Sequence, residues 1–139
     1  MRFLVFGILL VATLKAAYCL GKGSPQGVYV GGVPGKTYMS VKATFGKYLS
    51  KLKVNVLVIC GEGRVKKEVS LPLKKVDDNV FSVEDYTKST DLIHLRKFIG
   101  QNCGHEENKE TLAFYEFENE NTRCVVRVGN DNEVYLYKT

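Results

Sequence analysis

Two runs of alternating apolar residues face each other across a glycine turn between Leu52 and Leu73. Leu52, Val54, Val56 and Val58 precede Gly61-Glu62-Gly63, and Val65, Lys67, Val69, Leu71 and Leu73 follow it at the same spacing of two. In a helix that spacing would scatter the apolar groups around the cylinder, whereas in an extended chain it places them on one side. β-branched residues flank the turn on both sides, so the stretch reads as a β-hairpin with one buried face.

The rest of the chain lays out around this hairpin as more antiparallel strand. Val28-Tyr29-Val30 is a short first strand that stops at Gly31-Gly32-Val33-Pro34-Gly35. In 37–45, Met39, Val41, Ala43 and Phe45 share one face while Tyr38, Ser40, Lys42 and Thr44 share the other. Gly46 to Lys51 turns this strand into the hairpin. Pro72 marks the strand over 65–75 as an edge, a bulge or a bend. Asp77-Asp78-Asn79 is a turn, and strands are expected over 80–86, 112–117, 123–128 and 134–137.

Segment 91–99 fits two descriptions. As a helix it carries Leu92, Leu95, Phe98 and Ile99 in a stripe, capped by Asp91 and stopped by Gly100. As a strand it sets Ile93, Leu95, Lys97 and Ile99 against Leu92, His94, Arg96 and Phe98. The strand is preferred because the segments on both sides are extended, with a short helix around 91–99 as the alternative. The expected fold is all-β, an antiparallel up-and-down meander of about eight strands closing on itself.

Residues 1–21 stand apart. Met1-Arg2 opens with a positive charge, Phe3 to Leu14 is apolar but for Thr13, and small residues follow Lys15. Twelve such residues span about 18 Å as a helix, too short to cross a bilayer, and the pattern is that of a secretory leader. The expectation is an exported protein with one domain over 22–139. Removing Arg2 and Lys15 from the 20 basic residues leaves 18 against 15 acidic ones, a formal +3. Spread along the chain, so small an excess gives no reason to expect a nucleic-acid partner, and once the leader is gone no membrane partner is expected either. The doublets Lys66-Lys67 and Lys74-Lys75 read as solvated strand edges.

Catalysis finds little support. The only histidines are His94 and His105, and neither stands in a recognisable nucleophile motif with Ser or Cys. Cys103-Gly104-His105 lacks the second pair a zinc set needs, and Gly61-Glu62-Gly63 is not followed by the Lys-Ser/Thr of a phosphate loop. No catalytic residue, metal or cofactor is expected.

The four cysteines are Cys19, Cys60, Cys103 and Cys124. Of the cuts after Ala16, Cys19 or Gly21, only the first retains Cys19. In an up-and-down meander alternate turns fall at the same end, which sets the turn after Cys60 and the loop holding Cys103 on one rim and Cys124 at the other. Cys60 with Cys103 is the expected disulfide, leaving Cys124 to pair with Cys19 or stay free.

With its strands so placed, the chain resembles the lipocalins, in particular the small secreted odorant- and pheromone-binding type. The likeness lies in the order and spacing of leader, Gly27-Val28-Tyr29-Val30-Gly31 as first strand, long hairpin, the run Asp77-Asp78-Asn79-Val80-Phe81-Ser82-Val83-Glu84-Asp85-Tyr86, and later strands at Leu92-Ile93-His94-Leu95 and Leu112 to Val128. The family's Gly-X-Trp has Gly27-Val28-Tyr29 in its place, since the chain has no tryptophan. The resemblance implies a secreted carrier that holds a small hydrophobic molecule inside a barrel, with a protein receptor as a further partner. The lining would come from Met39, Val41, Phe45, Val54, Val56, Val69, Leu71, Phe81, Val83, Leu95 and Phe114, and Tyr29 or Tyr115 would offer a hydrogen bond. The same residues equally well fill a core.

Two rival readings stay open. Gln26-Gly27-Val28-Tyr29-Val30-Gly31 comes within one residue of the Gln-X-Val-X-Gly loop of cystatin-like protease inhibitors, with Val30 where the glycine should stand. The other is a β-rich interaction module without a cavity.

Overall fold

The computed structural model describes residues 24–33, 39–104, 108–129 and 132–139, and the expected leader, Cys19 and His105 lie outside them. Eight strands form a closed antiparallel barrel: β1 (Gly27–Gly32), β2 (Met39–Tyr48), β3 (Lys51–Cys60), β4 (Val65–Asp77), β5 (Val80–Val83), β6 (Phe114–Glu118), β7 (Arg123–Val128) and β8 (Asn132–Lys138). Each strand pairs with its neighbours in sequence, and β8 returns to β1 through Tyr29 opposite Lys138 and Val30 opposite Tyr137. Closure of an up-and-down meander by an antiparallel pair needs an even number of strands, because only then do the first and last run in opposite directions.

The expected stop at Gly31-Gly32 does not occur, and β1 continues through both residues. Glycine suits the seam for a steric reason. A Cβ built on Gly31 would lie 2.2 Å from the Tyr135 carbonyl oxygen, so only a bare backbone lets β8 come this close.

Alternation does what the sequence implies in β2, β3 and β4. Met39, Val41, Ala43 and Phe45 point inward beside Val54, Val56 and Val58, and these beside Val69, Leu71 and Leu73. The β2–β3 pairing runs to Tyr48 opposite Lys51, beyond the points where β1 ends opposite Phe45 and where β4 leaves β3 at Lys53 opposite Pro72. The last turn of this hairpin is therefore a two-stranded projection. Leu49 and Ser50 form its tip, both with positive φ (53° and 65°), the geometry of a tight primed turn.

The segment expected as a strand over 91–99 is instead the helix α1 (Thr90–Asn102). Ser89, not Asp91, is the N-cap: its hydroxyl accepts from the Leu92 amide at 3.3 Å, and Asp91 sits in the first turn, where a negative charge meets the positive end of the helix. The helix also runs two residues past Gly100. Leu92, Leu95, Arg96 and Ile99 are buried, a spacing of three and four that belongs to one helical face. The extended reading fails because it would bury alternate residues, which would place Lys97 on the same side as Leu95 and Ile99.

The helix packs mainly on β4, whose first half pairs with β3 alone because β5 begins pairing only at Leu73. It covers strand that β5 is too short to reach.

Cys60 and Cys103 form a disulfide, with Cα atoms 4.9 Å apart. The pairing is the expected one, but the alternation of turns does not lead to it when 91–99 is taken as a strand. An extended 91–99 would have added one more traverse of the barrel and carried Cys103 to the rim opposite Cys60. As a helix, the segment keeps the whole β5–β6 crossover at one rim, and the C-cap Cys103 arrives at the end of β3.

Arg96 holds the crossover together. Its guanidinium is buried and donates to the carbonyls of Tyr86 at 3.1 Å, Asn108 at 3.5 Å and Lys109, tying the chain on both sides of the helix. A buried cation is tolerable when carbonyl dipoles replace its lost hydration.

Candidate functional site

The barrel interior is where the family resemblance places a ligand. Of the nominated lining residues, Met39, Val41, Phe45, Val54, Val56, Val69, Leu71, Phe81 and Val83 do come together on the inner wall, buried to 9% exposure or less. Leu95 is buried too, but from the helix and not from a strand. Phe114 lies on the opposite face of β6: it is half-buried and packs edge-on against Tyr86, with ring centroids 5.1 Å apart. Its neighbours Tyr115 and Phe117 are the inward pair. Glu116 and Glu118 share Phe114's face of the strand, and that alternation is the signal in the sequence that Phe114 looks outward.

Inside, Tyr29, Phe45, Phe81, Tyr115 and Phe117 form one cluster of edge-to-face contacts, with centroid separations from 4.9 to 5.8 Å. These are favourable ring geometries and normal packing distances. Tyr29, Ala43, Val54, Val56, Val58, Leu71, Val83, Tyr115 and Cys124 are 0% exposed. A side chain with no exposure touches no space wide enough to admit a water molecule. In this conformation these side chains and the five rings pack the centre of the barrel.

Two buried polar atoms have no hydrogen-bond partner among the described residues, the Tyr115 hydroxyl inside this packing and the Ser82 Oγ on the outer face of β5, opposite Phe114. Tyr29 differs, since its hydroxyl donates to the Asn121 carbonyl. Burial, and to a lesser degree the neighbouring Cys124, pushes the Tyr115 phenol well above its ordinary range. Among the described residues Cys124 has no disulfide partner; it is buried, and its thiol is pushed up by burial, then by Glu116 and Glu118. Both groups therefore stay neutral, and a thiol held protonated is a poor nucleophile.

The outer wall offers a different site. Across β5 to β8, Val80, Phe114 and Val125 floor a groove of about 200 Å³ whose sides carry Glu110, Glu116, Glu133 and Arg127. Pairing explains the arrangement: Val80 stands opposite Glu116 and Glu116 opposite Val125, so an apolar residue lies on each side of a carboxylate. Arg127 is 3.7 Å from Glu110, and Glu133 accepts from the Tyr135 hydroxyl at 3.3 Å, which contributes to holding that phenol's pKa up. Glu116 has no such partner among the described residues. The groove keeps a negative balance over an apolar floor. Its size suits a side chain or two and falls short of the roughly 300–1,000 Å³ usual for small-molecule pockets.

Sequence reasoning missed this groove because its members come from β5, β6, β7, β8 and the crossover, and only the register of these strand pairs brings them together. The segment 26–31, considered as an inhibitor loop, is mostly β1, hydrogen-bonded between β2 and β8 and not displayed as a loop. Among the described residues no cluster of His, Cys, Asp and Glu is arranged to hold a metal, and no helix is long and apolar enough to cross a membrane.

No family model, characterised protein or solved structure matches this chain.

Proposed function

We propose that a chain with this filled interior works from the outside, as a non-catalytic protein-interaction module that presents the β5–β8 groove to a partner. The observation that carries the reading is the close packing of the five inner rings, which leaves the outer wall as the surface open to a ligand. The groove chemistry selects a segment that combines an aliphatic side chain with flanking cations: the floor rewards burial of apolar area, and Glu116 and Glu133 reward positive charge and repel acidic segments. The expected leader and the disulfide are consistent with an extracellular setting for this encounter.

Titration of the isotope-labelled domain with a short peptide of alternating lysine and leucine tests the reading by NMR. Chemical-shift changes confined to Val80, Phe114, Glu116, Val125 and Glu133 are expected. An unchanged spectrum at millimolar peptide removes the groove as a binding site.

One observation favours a second reading, the carrier implied by the lipocalin resemblance. The unpartnered Tyr115 hydroxyl is the kind of polar handle that orients a small guest, and a guest that parts the aromatic cluster would satisfy it. Saturable displacement of a fluorescent fatty-acid probe, lost in Tyr115→Phe, would establish the carrier in place of the module.

A further inference from the structure

The molecule carries, on its own surface, a segment with the chemistry its groove selects. From Met39 to Cys60 the chain has four lysines, Lys42, Lys47, Lys51 and Lys53, and no aspartate or glutamate. Three of them surround the projecting tip of the β2–β3 hairpin. At that tip Leu49 is 86% exposed and Tyr48 65%, the two most exposed large apolar side chains among the described residues. Lys53 lies over the Tyr48 ring at 5.3 Å, and Lys51, itself half in solvent, reaches Glu84 at 3.0 Å.

The turn itself is unusual in sequence. Two-residue primed turns favour Asn-Gly because both residues sit in the left-handed region, where a Cβ crowds the carbonyl. Here Leu49 and Ser50 occupy those positions. A leucine in this conformation and almost wholly in water buries little side chain in the fold, and such strain can concentrate where a segment serves another purpose.

We propose that the Tyr48-Leu49 tip of one copy seats in the β5–β8 groove of a second copy, with Leu49 on the Val80, Phe114 and Val125 floor and Lys47 and Lys51 beside Glu116 and Glu133. This rests on the groove reading above and names its occupant. Charge complementarity argues for it: a basic, acid-free hairpin meets a groove with a surplus of carboxylates. The same rim argues against an anionic membrane as the occupant. Turns alternate between the barrel ends, so Asp77 and Asp78 after β4 and Glu118 and Glu120 after β6 lie at the same end as the tip and would face the lipid.

Tip and groove are different patches, so the contact is heterologous and a pair of copies keeps one free tip and one free groove. The area is small, and the association is weak and reversible.

Sedimentation velocity of the domain spanning residues 22–139 tests this with two variants. Leu49→Asp removes the apolar anchor and suits the left-handed turn, so it keeps the fold. Glu116→Lys with Glu133→Lys reverses the groove on exposed positions. Wild-type protein is expected to show mass increasing with concentration, weakened at least tenfold by either variant and reduced between 50 and 500 mM salt, as screening of charge pairs requires. Mixed in equal amounts, the two variants restore a single one-to-one contact, the intact tip of one in the intact groove of the other. A wild-type monomer at millimolar concentration overturns the proposal, as does a mixture that stays monomeric. A response of the monomer to the lysine-leucine peptide would leave the groove reading standing while this one falls. Sedimentation with phosphatidylserine vesicles, lost in Leu49→Asp, would assign the tip to lipid and overturn it too.

Discussion

Tyr115→Phe is the most informative single substitution, because the two functional readings predict opposite signs for it. The side chain is 0% exposed, its ring packs edge-on to Phe45 with centroids 5.5 Å apart, and its hydroxyl has no hydrogen-bond partner. Replacement by phenylalanine keeps the ring and removes only the oxygen. Leaving a buried hydroxyl unsatisfied costs about 1–3 kcal/mol, so its removal from a dry, full interior should stabilise the fold by about 1–2 kcal/mol once the small void left behind is allowed for. With a urea dependence of about 1–3 kcal/mol per molar for a domain of this size, the midpoint should rise by about 0.5–1 M at unchanged slope. Equilibrium urea unfolding followed by circular dichroism reads this directly. A midpoint lowered by a similar amount would refute the reasoning: the hydroxyl would then have a partner in solution, water or a guest, and the interior would have room for one.

Three further expectations follow from the packing. Reducing the Cys60–Cys103 bridge, or replacing both residues with serine, frees a loop with a sequence separation of 43 residues, and chain entropy puts the loss at about 4 kcal/mol, measurable as a drop in urea midpoint. Arg96→Met orphans the carbonyls of Tyr86 and Lys109, Asn108 keeping its bond from the Thr111 amide, and should cost about 3 kcal/mol, with hydrogen-exchange protection lost first across 84–104 and 108–113; protection unchanged there would show that the crossover does not depend on the guanidinium. The third concerns alkaline pH. Cys124, Tyr115 and Tyr29 all have raised pKa values, so above their ordinary values, 9.0 for the thiol and 10.0 for the phenols, the unfolded chain loses protons that the fold keeps. Stability should be level with respect to these groups below about pH 9 and fall above it, by up to ~1.4 kcal/mol per pH unit each for the deeply buried Cys124 and Tyr115 and less for Tyr29, and Cys124→Ala should delay the onset to about pH 10.

The contrast between β2–β4 and the β5–β6 crossover shows what could be read in advance. Along β2, β3 and β4 one face is apolar and the other polar, so the inward sets from Met39 to Leu73 were visible residue by residue. In β6 aromatic residues stand on both faces, so Phe114 reads as inward although Tyr115 and Phe117 supply that face. In 90–102 the apolar residues fit periods of two and of 3.6 almost equally. The balance was tipped by Ser89 as cap and by the uncovered half of β4, a feature of the sheet that no local pattern records.

The alternation of side chains along each strand, a local property written in the order of residues, was enough to determine an all-β meander and its buried faces. Strand pairing and closure decided the rest. Bringing β8 against Gly31 sealed the cylinder around five aromatic rings, and the pairing of β5 to β8 set Val80, Phe114, Glu116, Val125 and Glu133 side by side on the outside. These proximities join residues on different strands, as far apart in the chain as Gly31 and Tyr135. Which side chains meet at such distances is fixed by the register and curvature of the whole sheet, and no short stretch of sequence carries that information.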